Sequence, residues 1–498
     1  MRSLAVLAIA SLASVRMVHA QGRPLDWPFY GGDAQRTGWE KSDLRITKEN
    51  VKNFQLVLKR KLENKQNGPR SLTPPVVIGN LISYRGFKEL AFVAGNSDNL
   101  WSIDADMDRI FWQKHFDYTS DKPKPAASAI CSASVTATPA LTPPLNFATA
   151  RPRAASAAPA SPPPPGSVRA LLGGGGFGAP RPAFAVSSDG KLHLLNTSNG
   201  ADLLPAMKFL PADAKASSLI VADGVIYTTT SSGCGSSPNA VWAIDLNGAD
   251  TPVASFPLNS GVSELGGLAV GTDGTIYVQS GSKVLALAPK SLELKQSFTA
   301  SGGSTKNIAT PVVFAYKDHD LIVSSGGDGR LYLLDAQSLG TPLYQTPLLS
   351  SGDRGVWGGL SSWQDADGTR WVLAPVWGAL NSELKVPGTN DAAPNGSVVA
   401  FKLDEVDGKP VLAPAWVSRD MSSPQPPVIT SGVVFALSAG GPHATLYALD
   451  GTTGKEMYST GNQVTSPGNL TGMTLANGRV YFTTNDSTLY AFGIFLER

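Results

Sequence analysis

Cysteine is almost missing from this chain: Cys131 and Cys234 are the only two in 498 residues. Two cysteines cannot make a disulfide scaffold, so the fold must rest on an apolar core. Charge is sparse, at 16% of residues, and nearly balanced, with 41 Lys and Arg against 39 Asp and Glu. No basic surplus therefore draws the chain to nucleic acid or to anionic lipid. The five histidines, among them His115, His193, His319 and His443, show no metal-motif spacing. Heptads and amphipathic helical patterns are scarce. Beyond the first twenty residues, no run is long and apolar enough to cross a membrane. What is plentiful is 51 Gly and 37 Pro, the material of many turns and short strands.

The first twenty residues, "MRSLAVLAIASLASVRMVHA", read as a secretory signal. Arg2 carries the charge, Leu4 to Val15 is the short apolar run, and "VHA" supplies small residues before a cut at Gln21. Arg16 interrupts the pattern. Gln21 stands where a bacterial lipoprotein needs Cys, so no lipid anchor is expected. Cleavage takes away Arg2 and Arg16 and no acid, leaving 39 basic against 39 acidic residues. The expected location is periplasmic or secreted.

One phrase recurs along the rest. It reads "LWSID" at 100–104, "LHLLN" at 192–196, "VWAID" at 241–245 and "VLALA" at 284–288. It returns as "LYLLD" at 331–335, "VVAFK" at 398–402, "LYALD" at 446–450 and "LYAFG" at 489–493. Two further strand-like runs precede it, split by a turn at Asp223-Gly224, Asp273-Gly274 or Asn477-Gly478 where the pattern is clearest. Such dipeptides suit tight hairpins. A second turn and a fourth run follow. Each copy is therefore a four-stranded antiparallel meander of roughly 45 residues, the length of a propeller blade. Eight meanders bury both faces only when packed around an axis. The fold class is all-β, an eight-bladed β-propeller forming a single domain over 21–498. The eighth copy stops after its third strand, and "LVLKRKL" at 56–62 has the alternation to supply the fourth and close the ring.

Two spacings are long. The Pro-, Ala- and Gly-rich stretch at 142–182 reads as a mobile, disordered insertion in a hairpin of the second blade. The extra length between the fifth and sixth copies falls in a loop at 377–397. "GGGGFG" at 173–178 lies inside the first insertion, not between strand and helix, which disfavours a phosphate loop.

At Ala448, Asp450, Thr453, Gly454 and Lys455, with Tyr458 in the place of a Trp, the sequence resembles the repeat of the pyrroloquinoline-quinone (PQQ) type propellers. Asp104 and Trp112 keep the same spacing in the first blade. The stretches "DWPFYGGDAQRTGW" (26–39) and "ITKENVKNFQLVLKRKL" (46–62) resemble the start of quinoprotein dehydrogenases and their relatives. The resemblance implies a cofactor on the face shared by the loops that lead into first strands and those after second strands. On that face fall Arg354 and Lys306 for the cofactor's carboxylates, Trp357 or Trp377 for its ring, and Glu264 and Asn307 for Ca²⁺. Asp353 is the candidate base. Cys131 and Cys234 fall there too, in adjacent blades, either as a disulfide or as two thiols. The chain departs from the enzymes in having no adjacent Cys-Cys pair. It has no Cys-x-x-Cys-His either, so no c-type haem is expected.

Two functions compete. One is a PQQ-dependent oxidoreductase acting on an alcohol or sugar as small-molecule substrate. The other is a non-catalytic scaffold that holds another envelope protein. An enzyme needs cations, an acid and a stacked Trp converging in one funnel. A scaffold needs an exposed apolar or aromatic patch on a rim.

Overall fold

A computed structural model describes residues 26–65, 68–83, 86–120, 131, 137–142, 181–247, 250–302, 308–352 and 354–494. The signal sequence, nearly all of the 142–182 insertion, and Lys306, Asn307 and Asp353 lie outside these residues. The described residues form eight small antiparallel sheets arranged as an eight-bladed propeller. The blades span 76–115, 140–208, 220–257, 268–299, 312–345, 361–417, 428–459 and 474–493. In every blade the recurring phrase is the third strand, as in Asn99–Asp104 of blade 1 and Thr445–Asp450 of blade 7. The helices described are single 3-10 turns, Val51–Asn53 and Cys234–Ser236.

Ring closure follows the sequence expectation. Gln55–Lys61 pairs antiparallel with Thr488–Gly493 and is the outer strand of blade 8. The hairpins follow it in part. Asp223-Gly224 and Asn477-Gly478 adopt positive φ at both positions, while Asp273-Gly274 does so only at the glycine. Left-handed pairs of this kind match the twist of the flanking strands. The 142–182 insertion joins the first and second strands of blade 2, where Leu141 pairs with Ala183.

Blades pack through aromatic residues set against glycine turns. Trp112 of blade 1 donates its indole N–H to Thr197 O at 2.9 Å. Its ring lies where a Cβ on Gly200 would come within 2.7 Å. Trp416 of blade 6 repeats the arrangement on blade 7, donating to Gly451 O at 3.0 Å and pressing on Gly454. The wedge against the blade 7 repeat is thus the tryptophan of the preceding blade, while Tyr458 packs on Phe54.

The N-terminal segment touches every blade. Trp27 pairs with Val77 of blade 1, and Pro28 O accepts from Leu141 N of blade 2. Ala34, Gln35, Thr37 and Gly38 offer carbonyls to Val270, Val313, Ser362 and Ile429 of blades 4 to 7. Asp43 accepts from Gly478 N of blade 8 at 2.6 Å. The remaining contact, to blade 3, is a 3.5 Å bond from Arg36 to Ser218. Arg36 is only 1% exposed. Its guanidinium donates to Leu268 O at 3.0 Å, Gly266 O at 2.9 Å and Tyr30 O. Burial pulls its pKa down to about 9, against the pull of Tyr30 and Asp33.

Candidate functional site at the loop end of the axis

Antiparallel pairing builds the centre of the site. Gly355 pairs with Trp377 and Val356 with Val376, which sets Trp357 beside Trp377. The two indoles stack with centroids 4.7 Å apart and planes 16° from parallel, each 8% exposed. Trp377 donates to Pro424 O at 2.9 Å, which fixes its ring. The Arg354 guanidinium lies 5.7 Å from the Trp377 ring, within cation–π range.

Tyr30 and Leu265 pack against this pair. Tyr30 sits where the lead-in loops of several blades come close. A Cβ on Gly359 would fall 2.9 Å from its hydroxyl, and one on Gly472, at φ +90°, 3.0 Å from its ring. Glycine at these places lets the phenol occupy the axis. Burial raises the phenol well above its ordinary range, against the pull of Arg36.

Beside the tryptophans lies an ion cluster from three blades. Glu264, ahead of blade 4, takes Lys215 at 2.6 Å and also Arg70. Ser232, in the loop after the second strand of blade 3, reaches the same carboxylate at 3.5 Å. The lead-in loops of blades 4 to 6 are stitched together next to it. Ser263 donates to Gly358 O at 2.7 Å, and Thr310 donates to the same carbonyl at 3.0 Å. Burial, and then the nearby Arg70, bring Lys215 down to about 8; burial also lowers Arg70.

The structure thus gathers Trp357, Trp377, Arg354 and Glu264 at one end of the axis. Cys131 and Cys234 form a disulfide across blades 2 and 3 at that end, with Cα atoms 5.5 Å apart. Lys306, Asn307 and Asp353 lie outside the described residues. Asn469 is used internally, donating to Thr483 and Thr484 at 2.9 and 3.1 Å. Glu264 faces two cations, and among the described residues no three His, Cys, Asp or Glu side chains gather as metal ligands. Sequence reading missed Arg70 and Lys215. Both lie ahead of first strands, Lys215 in a two-residue strand that pairs with Ser231, so the same rule applied to blades 1 and 3 would have found them.

Away from the axis, His193 meets Asp202 at 2.9 Å and Ser187 at 3.1 Å, the atom order of a nucleophilic triad. Ser187 is 4% exposed, and its hydroxyl donates to Asp189 at 2.5 Å. With Lys114 on Asp202 and Phe116 against the imidazole, the group is a seam between blades 1 and 2.

Residues 391–494, the end of the long blade 6 loop through blade 8, match the family described as outer membrane protein assembly factor BamB. No sequence among the curated proteins matches the chain. Solved structures match it in fold. Quinohemoprotein alcohol dehydrogenase from Comamonas testosteroni aligns with TM-score 0.58 at 13% identity, over 96% of this chain and 82% of that one. Quinohemoprotein alcohol dehydrogenase ADHIIG from Pseudomonas putida HK5 gives 0.58 at 13%, over 97% and 82%. A europium-containing methanol dehydrogenase gives 0.51 at 14%, over 95% and 90%. The described residues thus share the eight-bladed propeller fold of these structures, and residues 391–494 carry the repeat of the matched family.

Proposed function

We propose that this protein is an exported PQQ-type propeller that binds a planar, carboxylate-bearing ligand at the loop end of its axis. The observation that carries this reading is the stacked Trp357–Trp377 pair, with Arg354 over it and Arg70 and Lys215 beside it. Aromatic rings and cations are what a flat polycarboxylate needs.

The described residues fit PQQ in two of its three requirements. Trp357 and Trp377 would meet its ring, and Arg354, Arg70 and Lys215 its carboxylates, with Lys306 proposed as a further cation. The third requirement, an oxygen cage for Ca²⁺, is not met by the described residues, since Glu264 already answers two cations. When bound, PQQ supplies a quinone that takes up the electron pair leaving an alcohol carbon. On the chain's side, oxidation needs a base, and Asp353 beside Arg354 is the residue proposed for it, with Asn307 proposed as an oxygen ligand. Binding is therefore the core of the proposal, and alcohol or sugar oxidation its extension. A cleaved signal over 1–20 would place the protein in the periplasm or outside the cell; mass spectrometry should then find a mature N-terminus at Gln21.

Titrating the purified protein with PQQ, with and without Ca²⁺, tests the reading. Quenching of tryptophan emission and a rise in Tm are expected, and Trp357→Leu should remove most of the quenching. Dye reduction with a panel of alcohols tests oxidation. A second reading, a scaffold for another envelope protein, is favoured by the match of residues 391–494 to an assembly-factor family. It takes the lead if PQQ shifts neither emission nor Tm.

A further inference from the structure

We infer that Glu264 is a built-in competitor for the ligand's carboxylate, held in the cation site by an arm that reaches across the mouth of the axis. The inference rests on the loop-end binding reading and adds a mechanism of control to it.

Arg70 is carried by a short segment between blades 8 and 1. Gly68 N donates to Asn485 O at 3.1 Å, and Leu470 N donates to Pro69 O at 2.6 Å. Leu72, two residues on, bridges to Gly95 of blade 1. From there the guanidinium ends on Glu264, which precedes blade 4. The ion pair therefore joins blades that are not neighbours in the ring. Its position relative to the stacked indoles is fixed by sequence adjacency. Leu265, next to Glu264, packs on Trp357 and Trp377, and a Cβ on Gly358 would come within 2.9 Å of the Leu265 side chain.

The chemistry follows from the count of charges. One carboxylate answers two cations, and a second anion brought to this mouth needs those same cations. It must share them with Glu264 or displace it. Partly buried cations bind an incoming carboxylate strongly only when no resident one already holds them. Glu264 thus sets a threshold. A ligand with a single carboxylate replaces like with like and gains little. A ligand with several carboxylates gains the surplus, because among the described residues Lys215, Arg70 and Arg354 are three cations against the single Glu264 carboxylate.

Removing the charge while keeping the shape tests this. Glu264→Gln should bind PQQ, and the metal-free probe benzene-1,3,5-tricarboxylate, about tenfold more tightly than the unaltered protein, read by tryptophan quenching. Benzoate should gain more in proportion, because it alone cannot outbid the resident group. Arg70→Ala should weaken the tricarboxylate in both backgrounds. Unchanged Tm for the Gln variant confirms that the fold is intact; if it drops, Glu264→Ala should also bind the tricarboxylate more tightly, and added acetate, which returns a carboxylate to the cations, should weaken that binding again. Equal affinity in the unaltered and Gln proteins overturns the competitor role and leaves loop-end binding standing. Tighter binding with Ca²⁺ that is lost in the Gln variant also overturns it, and makes Glu264 a metal ligand. No binding in any protein removes the loop-end reading itself, and the competitor with it.

Discussion

Where the blade hairpins turn, the chain is regular. Asp450 Oδ1 accepts from Thr452 N at 2.9 Å and Thr453 N at 3.0 Å, and Lys48 closes on Oδ2 at 2.8 Å. At the opposite end, the loops leading into first strands follow no common pattern. One carries Arg70, one Lys215, one Glu264, and one the Arg354–Trp357 stretch. The first end satisfies backbone groups locally within each repeat. The second brings together side chains from distant parts of the sequence. Repetition at one end frees the loop sequences at the other to vary, because the repeat sets the strands of the wheel.

Three perturbations separate the two ends, from the largest effect to the smallest. Arg36 belongs to the axis that serves both. Replacing it with Leu leaves the carbonyls of Tyr30, Gly266 and Leu268 without their donor. It should cost about 3–5 kcal/mol in denaturant unfolding. If it costs less than 1 kcal/mol, the N-terminal segment is not the common anchor. The disulfide belongs to the loop end alone. It links residues 103 apart, and replacing both Cys131 and Cys234 with Ser should cost about 2–4 kcal/mol on the chain-entropy argument, measured as a lower denaturation midpoint. The turn-end hydrogen bonds around Asp450 should be unaffected, which amide exchange can confirm.

Asp450 belongs to the turn end alone, and Asp450→Asn should cost about 1–2 kcal/mol. Its pH dependence has a definite sign. Burial pushes the Asp450 carboxyl up, but bonds from Lys48 and Thr452 outweigh it and bring the pKa down to about 2. The folded form thus holds the ionised acid more strongly than the unfolded chain does. The contribution is complete above the ordinary range near pH 4 and fades as pH falls towards 2. Melts of the two proteins should differ at pH 6 and converge by pH 2; a difference that persists at pH 2 would assign the effect to shape and not to charge.

The fold was legible in the sequence because its cause is repeated. Eight versions of one apolar strand, with glycine turns ahead of several, leave a closed wheel as the way to bury both faces. The missing fourth strand of the last blade pointed to the segment that fills it. The axis was less legible. Tyr30 and Arg36 lie in "DWPFYGGDAQRTGW", which reads as a family signature but contains no pattern that says it will cross eight blades. The Trp357–Trp377 pair was found as two candidates for one role; the strand pairing that makes them a single stack is a tertiary fact. Glu264 was singled out as a Ca²⁺ ligand, and the structure sets it between Arg70 and Lys215. Its partners Arg70 and Lys215, 194 and 49 positions away, were within reach of the lead-in rule, but nothing in the sequence pairs them with Glu264.

The segment from Trp27 to Asp43 precedes every blade and finds one of its partners, Gly478, only once blade 8 exists. Its bonds to blades 1 to 7 need only those blades, and the bond from Gly478 closes the set. A copy lacking blade 8 would therefore loosen the hub as well as open the rim.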